Sequence, residues 1–530
     1  MAFSVSVIIN AVDVSSKIKG LVTVKGVEGA ARIARFTINP DAGVIDPYSY
    51  IGKPVTINYI DGSSDRIFTG IATKPSYSIY TGLLSFVCTD NLQEEVELVD
   101  RAAVDLLLPV GYWDKAVFND PTENWSYSQQ RMSTYPGSFN KDVNGAVVIT
   151  DWQPKAIPDF TFTDSTIVDK SLDISALAER RNITNSVKIT FQNRYQRLWQ
   201  RELSGSWALG MTFDAWLLDP TDLPTKQMVE QAASGWTKKA ISFTDLLPSG
   251  MYSGVSWNLS LYAQTLCQGA SIAVAKRWKQ NITDTYTITV QSAASITQHG
   301  LLEVEQKHSL TADDNSSFAE FKEYKAPTGT LVEAGNYVEL TALSPNNAIL
   351  TAVNVAKTKI LASHRNNRLT FKTALDASID TDKTVRINHT KVQATGKVAS
   401  VTHEIDMTVG SARAITTCTI AVYSPNIAAQ TDDALTVPTS PYTDPSGLVG
   451  TLPALNSYLG NVDLAPVEDP NWNGFIGNYE EWTGTPPAPE FYNERFSFEI
   501  PAITDTAAVD YAGISSFNVA IPQNELVVIK

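Results

Sequence analysis

Residues that commonly carry chemistry are scarce in this chain. There are three cysteines and five histidines in 530 residues. Cys88, Cys267 and Cys418 lie far apart, outside any CxxC or Cys/His ligand spacing, so neither a disulfide framework nor a cysteine-bound metal is expected. His299, His308, His364, His389 and His403 form no HExxH or His-x-His pattern, and GxSxG, P-loop and GxGxxG motifs are missing. The opening Met1-Ala2-Phe3-Ser4 lacks the basic and apolar segments of a secretory signal. No apolar run approaches the roughly 18 residues that cross a bilayer. A basic stripe is also lacking. The formal charge is −15, which disfavours nucleic-acid binding and suits a solvent-facing part or a conduit. With 43% hydrophobic and 18% charged residues, the chain is ordered and long enough for several domains. No catalytic, cofactor-binding or metal-ligating residue is assigned, and no cofactor is expected.

What is present is a run of short strands that occurs twice. Residues 45–90 pass through Ile45-Asp46, Pro54-Val55-Thr56-Ile57-Asn58 and Phe68-Thr69-Gly70-Ile71-Ala72-Thr73. They return through Gly82 to Phe86-Val87-Cys88-Thr89. Downstream come Ile379-Asp380, Thr384-Val385-Arg386-Ile387-Asn388 and Ala394-Thr395-Gly396-Lys397-Val398-Ala399-Ser400, then Gly410 and Thr417-Cys418-Thr419. Val55 and Val385 are 330 residues apart, as are Cys88 and Cys418, while Gly70 and Gly396 are 326 apart. Both copies alternate apolar and polar residues, which turns one face of each strand toward a core. The alternative is a chance likeness of two β-meanders; four markers recurring in order favour a duplication.

Taken in order, residues 1–108 are expected to form a first antiparallel β-barrel with a capping helix. Asp90 and Gln93 read as a capping box, and Leu92, Val96, Val99, Ala103 and Leu106 as one helical face that ends at Pro109. Glu94, Glu95 and Glu97 suit the positive end of the helix dipole better than an acid/base site. Residues 109–170 are an irregular aromatic insert, with Tyr112, Trp113, Trp125, Tyr127, Tyr135, Phe139 and Trp152. Packing anchors are favoured over a sugar-stacking surface. Residues 171–330 are expected to be an α/β region of two helix-strand units: helices over 171–181 and 259–276, Asn-Ile-Thr hinges at 182–184 and 281–283, and strands at 187–191 and 286–290. A further helix is expected over 224–236. The acidic loop at 313–317 lacks EF-hand spacing. Residues 331–425 read as a second β-barrel with turns at 344–347 and 365–367. In its His403-Glu404-Ile405-Asp406, alternation separates the two acids from the histidine face, so a ligand cluster is not favoured. Residues 426–530 are an acidic, Pro-rich C-terminal arm, with 2 basic residues, 14 acidic ones and 11 of the 26 prolines. Leu448, Leu452, Leu455 and Tyr458 read as a short helix. Phe496, Phe498 and Ile500 alternate like a strand, as do Leu526 and Val528. Trp472, Phe475, Trp482, Phe491 and Tyr492 are too apolar for a free tail. The expected fold class is mainly β with α+β parts: two similar antiparallel β-barrel domains, an intervening α/β region and a Pro-rich C-terminal extension.

These residues carry a family resemblance. Ile51-Gly52-Lys53-Pro54-Val55-Thr56-Ile57, then Phe68-Thr69-Gly70-Ile71, then Cys88-Thr89-Asp90 resemble the first domain of the baseplate-hub (tail-tip hub) proteins of tailed bacteriophages. Gly396-Lys397-Val398, His403 to Asp406, Gly410 and Thr416-Thr417 resemble that family's second barrel, and 182–191 its intervening part. The resemblance covers about residues 1–425 in pieces. It implies a non-enzymatic structural virion protein, a homotrimer whose six barrels adapt the sixfold tail tube to threefold distal components around a channel for genome ejection. Implied partners are the tail tube or distal tail protein above, tail-tip, central fibre or spike proteins below, and the tape measure protein. DNA would pass without specific binding, in a virion assembled in the host cytoplasm. Some tail-tip relatives hold an iron–sulfur cluster on four cysteines; three cysteines do not supply that set. The runner-up function is a carbohydrate-binding or carbohydrate-cleaving β protein, resting on Trp113, Trp125, Trp472 and Trp482 with Glu480 and Glu481 nearby.

Overall fold

The computed structural model describes residues 3–176, 180–208, 238–245, 267–311, 337–340, 345–408, 412–424, 427–438, 449–451, 478–480, 495–497 and 508–529, with a few isolated positions between 227 and 234. The fold is mainly β with α+β parts. Two β units share one 14-stranded sheet, and a separate 7-stranded sheet forms an adjoining layer.

The first unit runs β1 (Ser4–Ile9), β2 (Val12–Asp13), β3 (Leu21–Val27), β4 (Ile33–Ile38), β5 (Pro54–Asp61), β6 (Ser63–Ser78) and β7 (Leu83–Thr89). Spatial order is β3-β4-β7-β6-β5-β1-β2. The ends approach each other where Val14 N–H donates to the Val7 carbonyl and Ile18 bridges Ile38. Strict alternation in β1, β5 and β7 turns Val5, Val7, Ile57, Leu84 and Phe86 inward, and Phe36 stacks on Phe86 at 4.9 Å between ring centroids.

The helix after β7 is two helices, α1 (Leu92–Leu98) and α2 (Arg101–Leu107), where the sequence reads as one. Asp100 breaks it, because its carboxylate accepts the Ala103 N–H and caps the second piece. The break rotates the buried face to Val104 and Leu108 and leaves Leu106 exposed. Asp90 accepts from Leu92 N–H, but Asn91, in the left-handed region, occupies the cap position. The insert continues as α3 (Asn124–Met132) and the hairpin β8 (Gly137–Lys141) with β9 (Val147–Asp151). Its aromatic residues form a core of their own: Tyr127 and Phe139 are buried, with Trp113, Trp125 and Tyr135 packed against them. Glu97 accepts from the Asn124 and Trp125 N–H groups, so one acidic residue of α1 caps α3. The chain then passes to the second unit as β10 (Phe160–Thr163) and β11 (Asp173–Ala176).

The middle layer is built on a long hairpin, β12 (Ser186–Ala208), β13 (Lys238–Asp245) and β14 (Cys267–Gln291), in which β12 and β14 pair along 23 residues. Two expected helices are therefore strands or turns. Residues 171–181 hold β11 and a 3-10 turn, Arg180–Asn182, and the described part of 259–276 belongs to β14. Ile272 and Val274 also fit a period of two, and pairing with β12 decides between the periods. The expected 187–191 and 286–290 strands are neighbours, with Val187 opposite Val290 and Phe191 opposite Tyr286. Asn281-Ile282-Thr283 lies within β14 and is no hinge. Next come α4 (Ala293–His299), β15 (Glu303–Thr311), β16 (Tyr337–Leu340) and α5 (Asn346–His364).

Helix α5 falls where only strands were expected. Its Ala348, Ile349, Ala352, Val353, Ala356 and Ile360 recur at helical spacing and pack on Val187, Ile189, Phe191, Tyr286, Ile288 and Val290. The Val, Ile and Thr content masked that period. The second unit follows as β17 (Asn367–Ala374), β18 (Thr384–His389), β19 (Val392–Asp406) and β20 (Arg413–Val422), in the order β18-β19-β20-β17. Strand β10 adds parallel to β18 and β11 antiparallel to β17, bringing Phe162 against Phe371 at 4.8 Å.

Of the C-terminal 105 residues, read as an arm from the sequence, several described segments are woven into the body. The short strand β21 (Val449–Thr451) is followed by β22 (Asn478–Glu480) and β23 (Arg495–Ser497), which pair only with each other among the described residues. Then β24 (Ala508–Asn518) lies parallel to β14 and β25 (Leu526–Val528) antiparallel to β19. Ile427, Phe517, Val519 and Ile521 join the core over α5. Alternating apolar residues there found two open sheet edges. The expected 224–236 helix, the 313–317 loop, Leu448, Leu452, Leu455, Tyr458, Trp472, Phe475, Glu481, Trp482, Phe491, Tyr492, Phe498 and Ile500 lie outside the described residues, apart from four positions in 224–236.

Candidate functional site

The two units repeat in register as well as in order. Val55 lies opposite Gly70, and Val385 opposite Gly396. A one-residue bulge follows each glycine at the same distance, between Ala72 and Lys74 and between Val398 and Ser400. Each glycine passes over a carbonyl of the third strand: a Cβ on Gly70 would stand 2.1 Å from the Thr89 oxygen, and one on Gly396 2.4 Å from that of Ala421. The pairing aligns Cys88, opposite Ala72, with Ile420, opposite Val398. Cys418 is two residues away, so the cysteine correspondence expected from sequence is corrected while that of the glycines stands.

The units meet along one seam. Residues 400–406 of β19 pair antiparallel with β3, so the sheet runs unbroken from one unit to the other. Ile405 enters the core of the first unit, and Leu375, Ala377, Met407 and Ala414 pack against it. Buried ion pairs fasten the seam. Arg32, 3% exposed, gives Nη2 to both Asp380 oxygens at 2.7 and 2.8 Å. Arg365, at the end of α5, forms a bidentate pair with Glu28 at 2.7 and 3.1 Å, under the ring of Trp152. Such pairs contribute little net stability, because desolvation offsets attraction, yet breaking one strands a buried charge at a cost of about 3–5 kcal/mol. They fix register. The insert closes over the same place: Asn140 donates to the Val27 and Ala30 carbonyls and accepts from Gly29 N–H, while Lys141 reaches the Asp90 carbonyl and the Glu95 carboxylate.

The histidines are dispersed. His403 is buried in the seam on β19, with Nδ1 2.9 Å from Thr416 Oγ1. Burial first, then Arg32 beside it, pushes its pKa down to about 4, so it is neutral. As alternation requires, His403 and Ile405 point inward, and Glu404 and Asp406 are half exposed. His364 is buried in the last turn of α5, next to Arg365, donating Nδ1–H to the Ile360 carbonyl and accepting from Ser295. His389 lies 3.2 Å from Asp164 near the surface, His308 is on β15 and His299 ends α4. Among the described residues, no three His, Cys, Asp or Glu side chains gather as a metal site. Trp113 donates to Gln130 and meets Tyr127 edge-on, and Trp125 packs near Phe139, so both are engaged in the insert core. A cleft of about 410 Å³ lies between the insert and α5, lined by Glu28, Ser138, Trp152, Arg365 and Arg368 among others. Its Glu28 carboxylate is held by both terminal nitrogens of Arg365.

The sequence reading missed Arg32, Glu28, Arg365 and Asp380. A charged residue beside an apolar strand was the available signal, but the partners lie 348 and 337 residues apart.

No family model matches the sequence, and no curated protein matches it. Among solved structures, the chain is similar to a tail protein from Neisseria meningitidis MC58, at 11% identity and a TM-score of 0.39, covering 81% of this chain and 99% of that one. The 43 kDa tail protein of prophage MuSo2 from Shewanella oneidensis is similar at 9% identity and a TM-score of 0.36, covering 78% and 97%. The prophage tail protein gp18 from Listeria monocytogenes is similar at 7% identity and a TM-score of 0.35, covering 79% and 94%.

Proposed function

We propose that this chain is a structural protein of a phage tail, a trimeric baseplate hub at the tail tip. The observation that carries the reading is the pair of β units, alike in strand order, register, bulge and glycine crossing, fused edge to edge in one sheet. Three chains with two similar units each would offer six similar surfaces to a sixfold tube while keeping threefold symmetry below. In this reading residues 4–89 and 367–422 form the ring, completed by 160–176, and the insert and middle layer brace it. The tube or distal tail protein binds above, and tail-tip, fibre or spike proteins bind below. The channel passes the genome without gripping it, in keeping with a net charge of −15. No bond chemistry is assigned. The carbohydrate alternative loses support from Trp113 and Trp125, which are packed in the insert.

Negative-stain images of the purified chain test this. A ring with threefold symmetry and a central channel is expected. A chain that remains a single particle at high concentration, alone and with tube protein, would overturn the assignment.

A further inference from the structure

The seam inside the chain has a counterpart that none of the described residues covers. Matching Gly70 to Gly396 places Tyr77 at the position of His403 and Ile79 at that of Ile405. Ile405 is fully buried in the seam, whereas Ile79 is 84% exposed and Tyr80 beside it is fully exposed. The loop at 375–383 sends Leu375 and Ala377 against the neighbouring unit. Its counterpart, the loop between β4 and β5, holds Val44 fully exposed, and Tyr48 and Ile51 exposed. Residues 400–406 pair with β20 on one side and with β3 on the other. The matching residues 74–78 pair with β7, and among the described residues their other edge has no strand.

The receiving side is repeated too. Strand β3 sets Val24 opposite Ala34 in β4, and β11 sets Ile174 opposite Leu369 in β17. Ala34 and Leu369 are themselves matched through Cys88 and Ile420. Strand β11 is therefore the β3 of the second unit, and its outer edge is open among the described residues. Among the described residues, one donor side and one acceptor side are used within the chain, and one of each is left over.

We propose that a second copy of this chain occupies them: the 74–78 edge with the Ile79-Tyr80 turn that follows it, and the 40–51 loop, of one copy dock on β11 of the next. This rests on the self-association proposed above and names its surfaces. The intrachain register, Ile405 opposite Val22 and His403 opposite Val24, transfers as Ile79 opposite Leu172 and Tyr77 opposite Ile174. Glu28 N–H donates to the Ala399 carbonyl and Met407 N–H to that of Gly20, so Ile405 and Val22 form a hydrogen-bonded rung between them, with Cα atoms about 5.5 Å apart. Pro75 withholds one N–H from the open edge, which blunts it against indiscriminate strands and concentrates pairing on 77–79. The contact is heterologous, so repetition closes a ring or grows a filament.

Full-length single variants Ile79→Cys and Leu172→Cys, mixed and mildly oxidised, test the register; a disulfide spans this separation. The mixture is expected to cross-link as a dimer on denaturing gels, and neither variant alone. Ile79→Glu and Val44→Asp, both at exposed positions, are expected to keep the wild-type melting temperature and to weaken self-association at least tenfold by light scattering. Leu106→Glu, exposed on α2, should change neither. Rings that persist in Ile79→Glu with no cross-link in the mixture would overturn this interface and leave the hub reading standing. Wild-type chain that stays monomeric, together with no cross-link in the mixed cysteine variants, would overturn both.

Discussion

At the residue scale, His403 shows how burial converts an ordinary side chain into an acid-sensitive one. Its neutral ring is enclosed in the seam, bonded to Thr416 and beside Arg32, and its pKa in the folded chain is about 4. In the unfolded chain it returns to about 6.5. Between these values the unfolded state binds the extra proton, so stability falls as pH drops from 6.5 through 4. The separation corresponds to a loss on the order of 3 kcal/mol from this one group. His403→Gln is expected to flatten the fall in melting temperature over that window by several degrees relative to wild type. An unchanged pH slope would place the acid sensitivity elsewhere. The two buried cysteines behave oppositely in kind: burial raises both thiols, Cys88 to about 12, which makes them inert packing groups.

At the scale of elements, the strand crossings marked by Gly70 and Gly396 decide whether each unit can form. A methyl at either position meets a backbone carbonyl that belongs to the sheet and has little room to move. Gly70→Ala and Gly396→Ala should each destabilise by about 2 kcal/mol or more, by overpacking and strand displacement. Chemical denaturation measures this. Similar losses for the two variants support equivalence of the crossings, and a silent variant would contradict the geometry of that unit. Helix α5 shows the reverse dependence. Its alanines let it lie close on β12 and β14, and its end supplies Arg365 to the seam, so one element links the middle layer to both β units.

At the scale of the molecule, the chain returns at its end to complete what its middle began. Phe517, Val519 and Ile521 fill the core over α5, with Ile427 shortly after the second unit. Ending the chain at Pro425 removes these four buried side chains, each contributing about 1.5–3 kcal/mol. That approaches the 5–15 kcal/mol total stability of a typical domain. The truncated chain is expected to be insoluble or to melt far below wild type, measured by yield and by thermal unfolding. A soluble, cooperatively melting product would show that the C-terminal strands are dispensable to the body.

The sequence by itself determined the local periods. Val5-Ser6-Val7, Val55-Thr56-Ile57 and Phe86-Val87-Cys88 are strands because side chains alternate across a pleat, and the recurrence of glycine after a Thr marked both crossings. It did not determine which period wins where two coexist, as in 267–276 and in α5, since pairing with β12 or packing on it settles the matter. Nor did it reveal that Cys88 answers to Ile420, because the hairpin from Gly396 to Ile420 is six residues longer than that from Gly70 to Cys88, and loop length leaves no mark on the strand period. The seam was decided only in three dimensions. Arg32 finds Asp380, and Arg365 finds Glu28, across hundreds of residues, and their buried charges are tolerated only because folding brings each to its partner.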